Sequence, residues 1–327
     1  MIDIVICTYN RIGIAIDLAK NLILNNNLIN NVIIVDSTDN QNQTYLLDTR
    51  IKIEKTTYKN QPLQRYLGYQ KSNSDIILFL DDDMELIDNE FANKIMSTFE
   101  NLNISGIAIN FQDKHTNSSL SKIPPSLFNS KSKIKKILNW FTGYHQQQNG
   151  KLGLCGIRGK QPLFGGETEI IGGGAFAIKR EYLYNNFNFQ LIDLYEQKIG
   201  KGEDVILGYT LSKQKGLHFM PDLLFYHNDQ TISNYSSNHF QFAKRVSFSR
   251  LYLSFEKTRL DNQSFTRAYL HYHWYTLWRI LGYMLNIIMQ PNKSRLSILM
   301  GTMYGYVSSF SFKFKYISTP YNYETNT

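Results

Sequence analysis

Ile76-Ile77-Leu78-Phe79-Leu80-Asp81-Asp82-Asp83 sets five apolar residues directly against three carboxylates. A short apolar run bounded by polar residues reads as a strand buried on both faces. The three adjacent carboxylates repel one another, and beside a buried strand they cannot all be well hydrated. A hard divalent cation with oxygen ligands, Mn2+ or Mg2+, resolves that conflict, because such ions share carboxylates with substrate phosphates. The plainer alternative is an acidic turn that caps the next helix.

The preceding segments repeat the pattern. Residues 2–7 and 32–35 are β-branched apolar runs, stopped by Thr8-Tyr9-Asn10-Arg11 and Asp36-Ser37-Thr38-Asp39-Asn40. Residues 51–54 read as a further strand, as do 104–109; helical spacing occupies 12–25, 63–72 behind Pro62, and 91–99. Strands alternating with helices predict βαβ units and an α/β, Rossmann-like, mostly parallel sheet flanked by helices. Ligands collect at the carboxyl ends of strands in such sheets, so the three polar clusters are expected on one rim.

Residues 111–165 break the alternation. They are basic, contain Pro124-Pro125 and Gln146-Gln147-Gln148, and read as a long insertion or loop. Apolar order resumes over 170–178 around Gly172-Gly173-Gly174, which no Lys-Ser/Thr follows, so it is not a phosphate loop. Such a turn lets backbone approach a ligand, or simply bends the chain. Gly202-Glu203-Asp204 opens a helix to about residue 213; capping and general-base roles are both open to its carboxylates. Short strands at 217–220 and 223–226 lead to His227, either an ordinary rim histidine or a neutral imidazole ligand. Arg65 is a surface arginine or a phosphate partner.

With 327 residues, 43% hydrophobic and 19% charged, the chain has room for one large domain or two moderate ones and is not a disordered composition. Cys7 and Cys155 lack ligand spacing and form no framework, so a reduced, cytoplasmic setting is expected. The first residues carry no basic region and Asp3 interrupts their apolar run, which argues against a signal peptide. No uncharged apolar stretch of about 18 residues predicts a membrane span. The 31 asparagines read as compositional bias rather than chemistry.

The net charge of +8 is unevenly placed: residues 114–160 hold nine Lys/Arg and no Asp/Glu, and residues 235–327 hold eleven against three. The rest of the chain is therefore acidic, which predicts an acidic site and an anionic surface partner; basic residues that merely solvate these segments are the alternative. From about Tyr235 the chain turns aromatic, basic and helical, dividing it into residues 1–234 and a helical C-terminal region, 235–327. Leu277, Ile280, Leu281, Met284, Leu285 and Ile288 form one apolar stripe, and Leu296, Leu299, Met300, Met303 and Val307 a second. With Trp274 and Trp278 at the boundary, both stripes suit an anionic membrane interface. The rival occupant is the rest of the chain or a second copy in a homo-oligomer; Gly301 and Gly305 permit close helix contact.

Taken in order, Thr8-Tyr9-Asn10-Arg11, Asp36-Ser37, Arg65, Leu80-Asp81-Asp82-Asp83, the Gly172-Gly173-Gly174 turn, Glu203-Asp204 and His227 resemble an inverting glycosyltransferase of the GT-A fold, in the family 2 group. The resemblance covers roughly residues 1–230, while 111–165 and the C-terminal region match in general character only. It implies a nucleotide pocket lined by Thr8, Asn10, Arg11 and Asp36, with Asp36 reading the base and Arg65 near the base or diphosphate. It implies that Asp81, the first acid of a DXD-type motif, faces ribose or metal, and that Asp83 and His227 hold Mn2+ or Mg2+. Asp204 would be the general base, Glu203 the second candidate, and Gly172, Gly173 and Gly174 would shape the acceptor side. The implied donor is a UDP-sugar first, then dTDP or GDP sugars. The implied acceptor is a hydroxyl of a glycan or lipid-linked glycan in bacterial surface polysaccharide synthesis, met on the inner face of the cell membrane. No nucleic-acid partner is expected. A sugar-nucleotide nucleotidyltransferase would carry a Gly-rich, Arg- and Lys-bearing loop after the first strand, which residues 8–13 lack. A non-catalytic nucleotide-sugar-binding paralogue is at odds with Asp81, Asp83, Asp204 and His227 occurring together.

Overall fold

The structure, a computed structural model, describes residues 1–24, 26–39, 45, 47–114, 133–162, 164–228 and 238–311. Asn40, Pro124-Pro125 and the proposed boundary at residue 234 lie outside the described residues. The apolar runs form β1 (Ile2–Thr8), β2 (Ile29–Asp36), β3 (Ile51–Lys55) and β4 (Ile76–Asp81), with α1 (Ile12–Ile23) and α2 (Gln61–Lys71) between them. These four strands are parallel in the order β3-β2-β1-β4. Thr8 pairs with Asp36 and Cys7 with Asp81, so all three polar stops emerge on the same rim. At the other end of β1, the buried Asp3 carboxylate accepts from the backbone amides of Asn31, Asn73 and Ser74, at 3.0, 2.7 and 2.9 Å. Burial alone would raise its pKa, but these donors hold it below the ordinary value.

The chain continues through β5 (Met84–Leu86), α3 (Phe91–Asn101), β6 (Gly106–Asp113), α4 (Lys133–Phe141), β7 (Gly166–Thr168), β8 (Ala175–Lys179), α5 (Phe189–Glu196), α6 (Glu203–Gln214) and β9 (Leu217–His227). The sheet extends as β4-β8-β6-β9-β5. β8 is antiparallel to both β4 and β6. It has to be: the Gly172-Gly173-Gly174 turn delivers it at the rim, where Asp81 N donates to Gly174 O at 3.0 Å, so β8 runs back down the sheet.

Two expectations need correction. The short strands at 217–220 and 223–226 are one strand, β9, whose pairing with β6 skips from Met220 to Leu223. Pro221 has no N–H to offer a ladder, so it and Asp222 bulge out. The segment 111–165 is not a bare loop. β6 runs into it as far as Asp113, and it carries α4, a 3-10 turn at Tyr144–Gln146 and a bridge between Leu152 and Arg158.

Two apolar cores flank the sheet. One packs α1 and α3 on Ile4, Ile6, Ile34 and Leu78. The other packs α2, α5 and α6 on Val5, Ile33, Phe79 and Phe176. The C-terminal region forms α7 (His239–Leu260), α8 (Phe265–Met289) and α9 (Lys293–Phe310). A third core joins it to the body: Val205, Ile206 and Tyr209 of α6 pack with Phe248, Tyr252 and Leu253 of α7. α9 lies against α7 so closely that a Cβ on Gly301 or Gly305 would overlap the carbonyl oxygens of Phe240 and Lys244. α7 and the inner side of α9 are therefore packed on the chain itself, while outward apolar residues of α8 and α9 stay exposed.

α2 carries several rim side chains and rests on β1 through Gly68, where a Cβ would overlap the buried Val5 side chain. Gly68→Ala gains about 1 kcal/mol of helix propensity, but overpacking a β-branched core residue costs about 1–3 kcal/mol. A lower urea midpoint at unchanged m-value is expected. A midpoint at or above wild type would show that the α2–β1 contact can relax.

Candidate active site

The carboxyl ends of β1, β2 and β4 enclose a cleft of about 230 Å3, lined by Cys7, Thr8, Tyr9, Arg11, Ser37, Lys59, Gln61, Gln64, Asp81, Asp82 and Asp83. Asp81 turns to α2, while Asp82 and Asp83 share Arg11. Asp81, the last residue of β4, accepts from Gln61 Nε2 at 2.7 Å and from Arg65 Nη2 at 3.0 Å. Asp82, only 1% exposed, accepts from Thr8 Oγ1 at 2.6 Å and from Arg11 Nη2 at 2.5 Å. Asp83 accepts from Arg11 Nη1 at 3.2 Å, and His227 Nε2 stands 3.3 Å from its Oδ1. The antiparallel pairing of Met84 with His227 explains this last approach: it sets the end of β9 beside the turn that carries Asp83.

Burial pushes Asp81 up to about 7 despite the Arg65 charge, and the neighbouring carboxylates add to the shift. Burial likewise raises Asp82 to about 6, against the Thr8 hydrogen bond and the Arg11 guanidinium. Asp83 goes the other way: burial opposes, but His227 and Arg11 hold it below the usual carboxylate value. Two of the three acids therefore hold protons more tightly than free aspartate does.

The other expected donor-side residues divide. Thr8 and Arg11 line the cleft. Asn10 adopts a left-handed backbone (φ 57°) and donates its N–H to Thr38 Oγ1 at 2.7 Å, with its side chain exposed. Asp36 is fully buried, accepts from Thr38 N at 2.9 Å and pairs with Lys55. The adjacent Ser37, rather than Asp36, is the residue of β2's end that lines the cleft. Gln64 was not expected here. Its Nε2 donates to Thr8 O and Val35 O at 2.8 Å each, stitching the ends of β1 and β2 together. Nothing in a helical glutamine signals that role.

A second carboxylate centre stands at the start of α6, entered through Gly202 at φ 91°. Glu203 accepts from Arg65 Nη1 at 2.7 Å and from the Tyr195 hydroxyl. Asp204 Oδ2 accepts from Arg158 Nη1 at 3.3 Å, and a Cβ on Gly173 would lie 3.2 Å from the same oxygen. Gly174 abuts Met84 and Gly172 the Phe111 ring, so the three glycines fit where larger residues would crowd the turn. Burial, then the Glu203 charge, raises the Asp204 pKa against Arg158, Arg65 and Lys201. Arg158 comes from the basic insertion, whose charge alone hinted at an anionic partner. Arg65, 3% exposed, lies between the two centres instead of on the wall of the cleft, its Nη2 also donating to Gly173 O at 2.6 Å.

These shifts set a pH dependence. Folded Asp81 and Asp82 bind protons more tightly than the unfolded chain does, so their stabilising effect is full below the ordinary value of 3.8. It is lost as pH rises through about 6 and 7. Thermal melts of the ligand-free protein in cation-free buffer should show stability falling across that window, and the slope should shrink in Asp81→Asn. An unchanged slope in the variant would refute the raised Asp81 pKa.

Solved structures resemble this chain to different degrees. S. aureus TarS 1-349 matches 95% of this chain and 81% of its own length at a TM-score of 0.53 and 10% identity. The Pyrobaculum calidifontis mannosyltransferase PcManGT, in complex with GDP-Man and Mn2+, matches 95% of this chain and 87% of its own at a TM-score of 0.49 and 10% identity. The first likeness speaks for the fold, which is GT-A. No curated protein matches the chain by sequence. The sequence model of Glycosyl transferase family 2 matches residues 3–183, from β1 past β8 and across Arg65 and all three rim aspartates, and the chain belongs to that family of glycosyltransferases.

Proposed function

We propose that this enzyme moves a sugar from a nucleotide-sugar donor to an acceptor hydroxyl with inversion at the anomeric carbon. One observation carries the reading: a carboxylate-rich rim cleft lies across a buried arginine from a separate carboxylate, Asp204, of raised proton affinity. The cleft takes the nucleoside diphosphate. Arg11 and Lys59 offer positive charge to it, and Asp81, already engaged by Gln61 and Arg65, faces the ribose hydroxyls. Ser37 and Tyr9 line the side towards the base.

The residues present fit a divalent cation. Asp83 Oδ1 and His227 Nε2 converge at 3.3 Å, an oxygen and an imidazole donor. Among the described residues no three His, Cys, Asp or Glu side chains form a complete cage, so the donor's diphosphate oxygens would supply the remaining ligands. Bound there, Mn2+ or Mg2+ would offset the charge that gathers on the departing diphosphate.

On the opposite side, the bare backbone of Gly173 stands close to Asp204, and the acceptor hydroxyl would be taken up beside that carboxylate. The acceptor oxygen bonds to the anomeric carbon as the bond from that carbon to the diphosphate oxygen breaks on the other face. The hydroxyl proton passes to Asp204, whose raised pKa brings it closer to the range that favours a general base. Arg65 holds Glu203 and the Gly173 carbonyl in place and touches neither reacting atom. A UDP-sugar donor and a glycan or lipid-linked acceptor of a bacterial surface polysaccharide remain the substrates this reading favours, with the enzyme working at the inner face of the cell membrane.

Asp204→Asn keeps shape but cannot take the proton; turnover should fall about 10²–10⁴-fold while donor binding by calorimetry stays near wild type. Near-wild-type turnover would reduce Asp204 to a structural partner of Arg158 and move the test to Glu203→Gln. Proton NMR of the first product should show the inverted anomer. Asp83→Ala should lose both transfer and tight nucleoside-diphosphate binding, and excess EDTA should mimic it in the wild type. Full activity in EDTA would rule out the cation.

A further inference from the structure

The proposed reaction leaves one large feature unused. α4 sits on α8 through the Phe141 ring, 5.2 Å from those of Trp274 and Trp278, and presents Ile137, Leu138 and Trp140 outward. α8 and α9 form a hairpin whose tip exposes Leu285, Ile288 and Met289 to 60%, 78% and 73%. Apolar side chains so exposed, and so grouped, mark an interaction surface.

Two observations say what covers it. The first is charge. Neither 133–162 nor 262–311 contains an Asp or Glu, whereas Arg267, Arg279, Lys293 and Arg295 punctuate the hairpin. A two-fold contact between copies would set cation against cation; an anionic surface would not. The second is the tip itself. Arg295 Nη1 donates to Asn286 O and Gln290 O at 3.1 Å each, adding to the Gln290 N–H that Asn286 O already accepts and tying the start of α9 to the end of α8. Its Nη2 takes Gln290 Oε1 at 2.7 Å, and Asn292 Oδ1 accepts the Ser294 N–H at 2.7 Å. These bonds pin the tip with its apolar side chains outward, so little ordering entropy is lost when it meets a surface. Among the described residues no helix is long and apolar enough to cross a bilayer.

We propose that the α8–α9 tip inserts into an anionic lipid bilayer, with Leu285, Ile288 and Met289 entering the acyl boundary, Lys293 beside them at the phosphates, and the α4 face lying along the surface. This is a localised anchor, narrower than docking by the whole C-terminal region, and it holds whichever sugar is transferred.

The protein's three tryptophans, Trp140, Trp274 and Trp278, all lie on α4 and α8, so intrinsic fluorescence reports the encounter without a label. The full chain should float with vesicles of phosphatidylcholine mixed with phosphatidylglycerol and not with phosphatidylcholine alone. Brominated lipid should quench its emission, and salt should weaken binding. The double substitution Leu285→Ser, Ile288→Ser, at two exposed positions, should leave the far-UV circular dichroism unchanged and lower vesicle affinity at least about tenfold. The proposal fails if the wild type ignores anionic vesicles or if the double variant binds them equally. It also fails if sedimentation reveals an oligomer that the double substitution abolishes while vesicles leave the emission untouched; the face would then belong to a second copy.

Discussion

Arg65 is a cation taken almost wholly out of water, and everything around the site is arranged to make that tolerable. An unpaired buried charge costs several kcal/mol. Here Nη1 meets Glu203, Nη2 meets Asp81 and the Gly173 carbonyl, and the guanidinium lies 5.2 Å from the Phe176 ring centroid. Those partners come from α6, β4, the glycine turn and β8. None can move far without stranding the charge, so the rim cleft and the Asp204 centre are held at a set separation by one side chain.

The rim itself follows from strand direction. Three of the four parallel strands, β1, β2 and β4, deliver Thr8, Asp36 and Asp81 to the same edge, and β8, running the other way, has its glycine turn at that edge as well. β9 then carries His227 up beside Asp83 after passing its bulge at Pro221. The opposite end of β1 is closed by Asp3 with amide donors, a structural carboxylate whose surroundings lower its pKa where the rim raises two. Burial raises all three; at the rim the acids also repel one another, whereas at Asp3 three backbone N–H groups and the side chains of Ser72 and Asn31 outweigh it.

The C-terminal helices are part of the machinery that holds this site. Arg245 of α7 donates through Nε and Nη2 to Gly200 O at 2.9 and 2.7 Å, and Ser249 Oγ to Ile199 O at 3.1 Å. Both bonds fix the loop that leads into Gly202 and hence into Glu203 and Asp204. The insertion leans on the same helix, since Gly156 abuts the Arg250 carbonyl at a φ of 71° that side chains resist. Its Arg158 then reaches Asp204. The inner faces of the extension thus position Glu203 and Asp204, while its outer apolar side chains stay exposed.

Much of this was legible in the linear chain because it is local. A strand buried on both faces must be continuously apolar, and a polar stop after it marks the rim, so β1, β2, β4 and the acids 81–83 could be read directly. The GT-A architecture and the pairing of Glu203 and Asp204 with a helix start were also within reach. Other features involve partners far apart in sequence. Arg65 and Glu203 are 138 residues apart, Gln64 and Thr8 are 56, and Arg158 and Asp204 are 46; no periodicity links them. Hydrophobic pattern likewise could not show that β8 runs antiparallel, that two short runs fuse into β9 around a proline, or that Asp36 turns inward to Lys55. Local burial needs set which segments become strands and helices. Packing and charge compensation between distant segments set which of their polar ends meet.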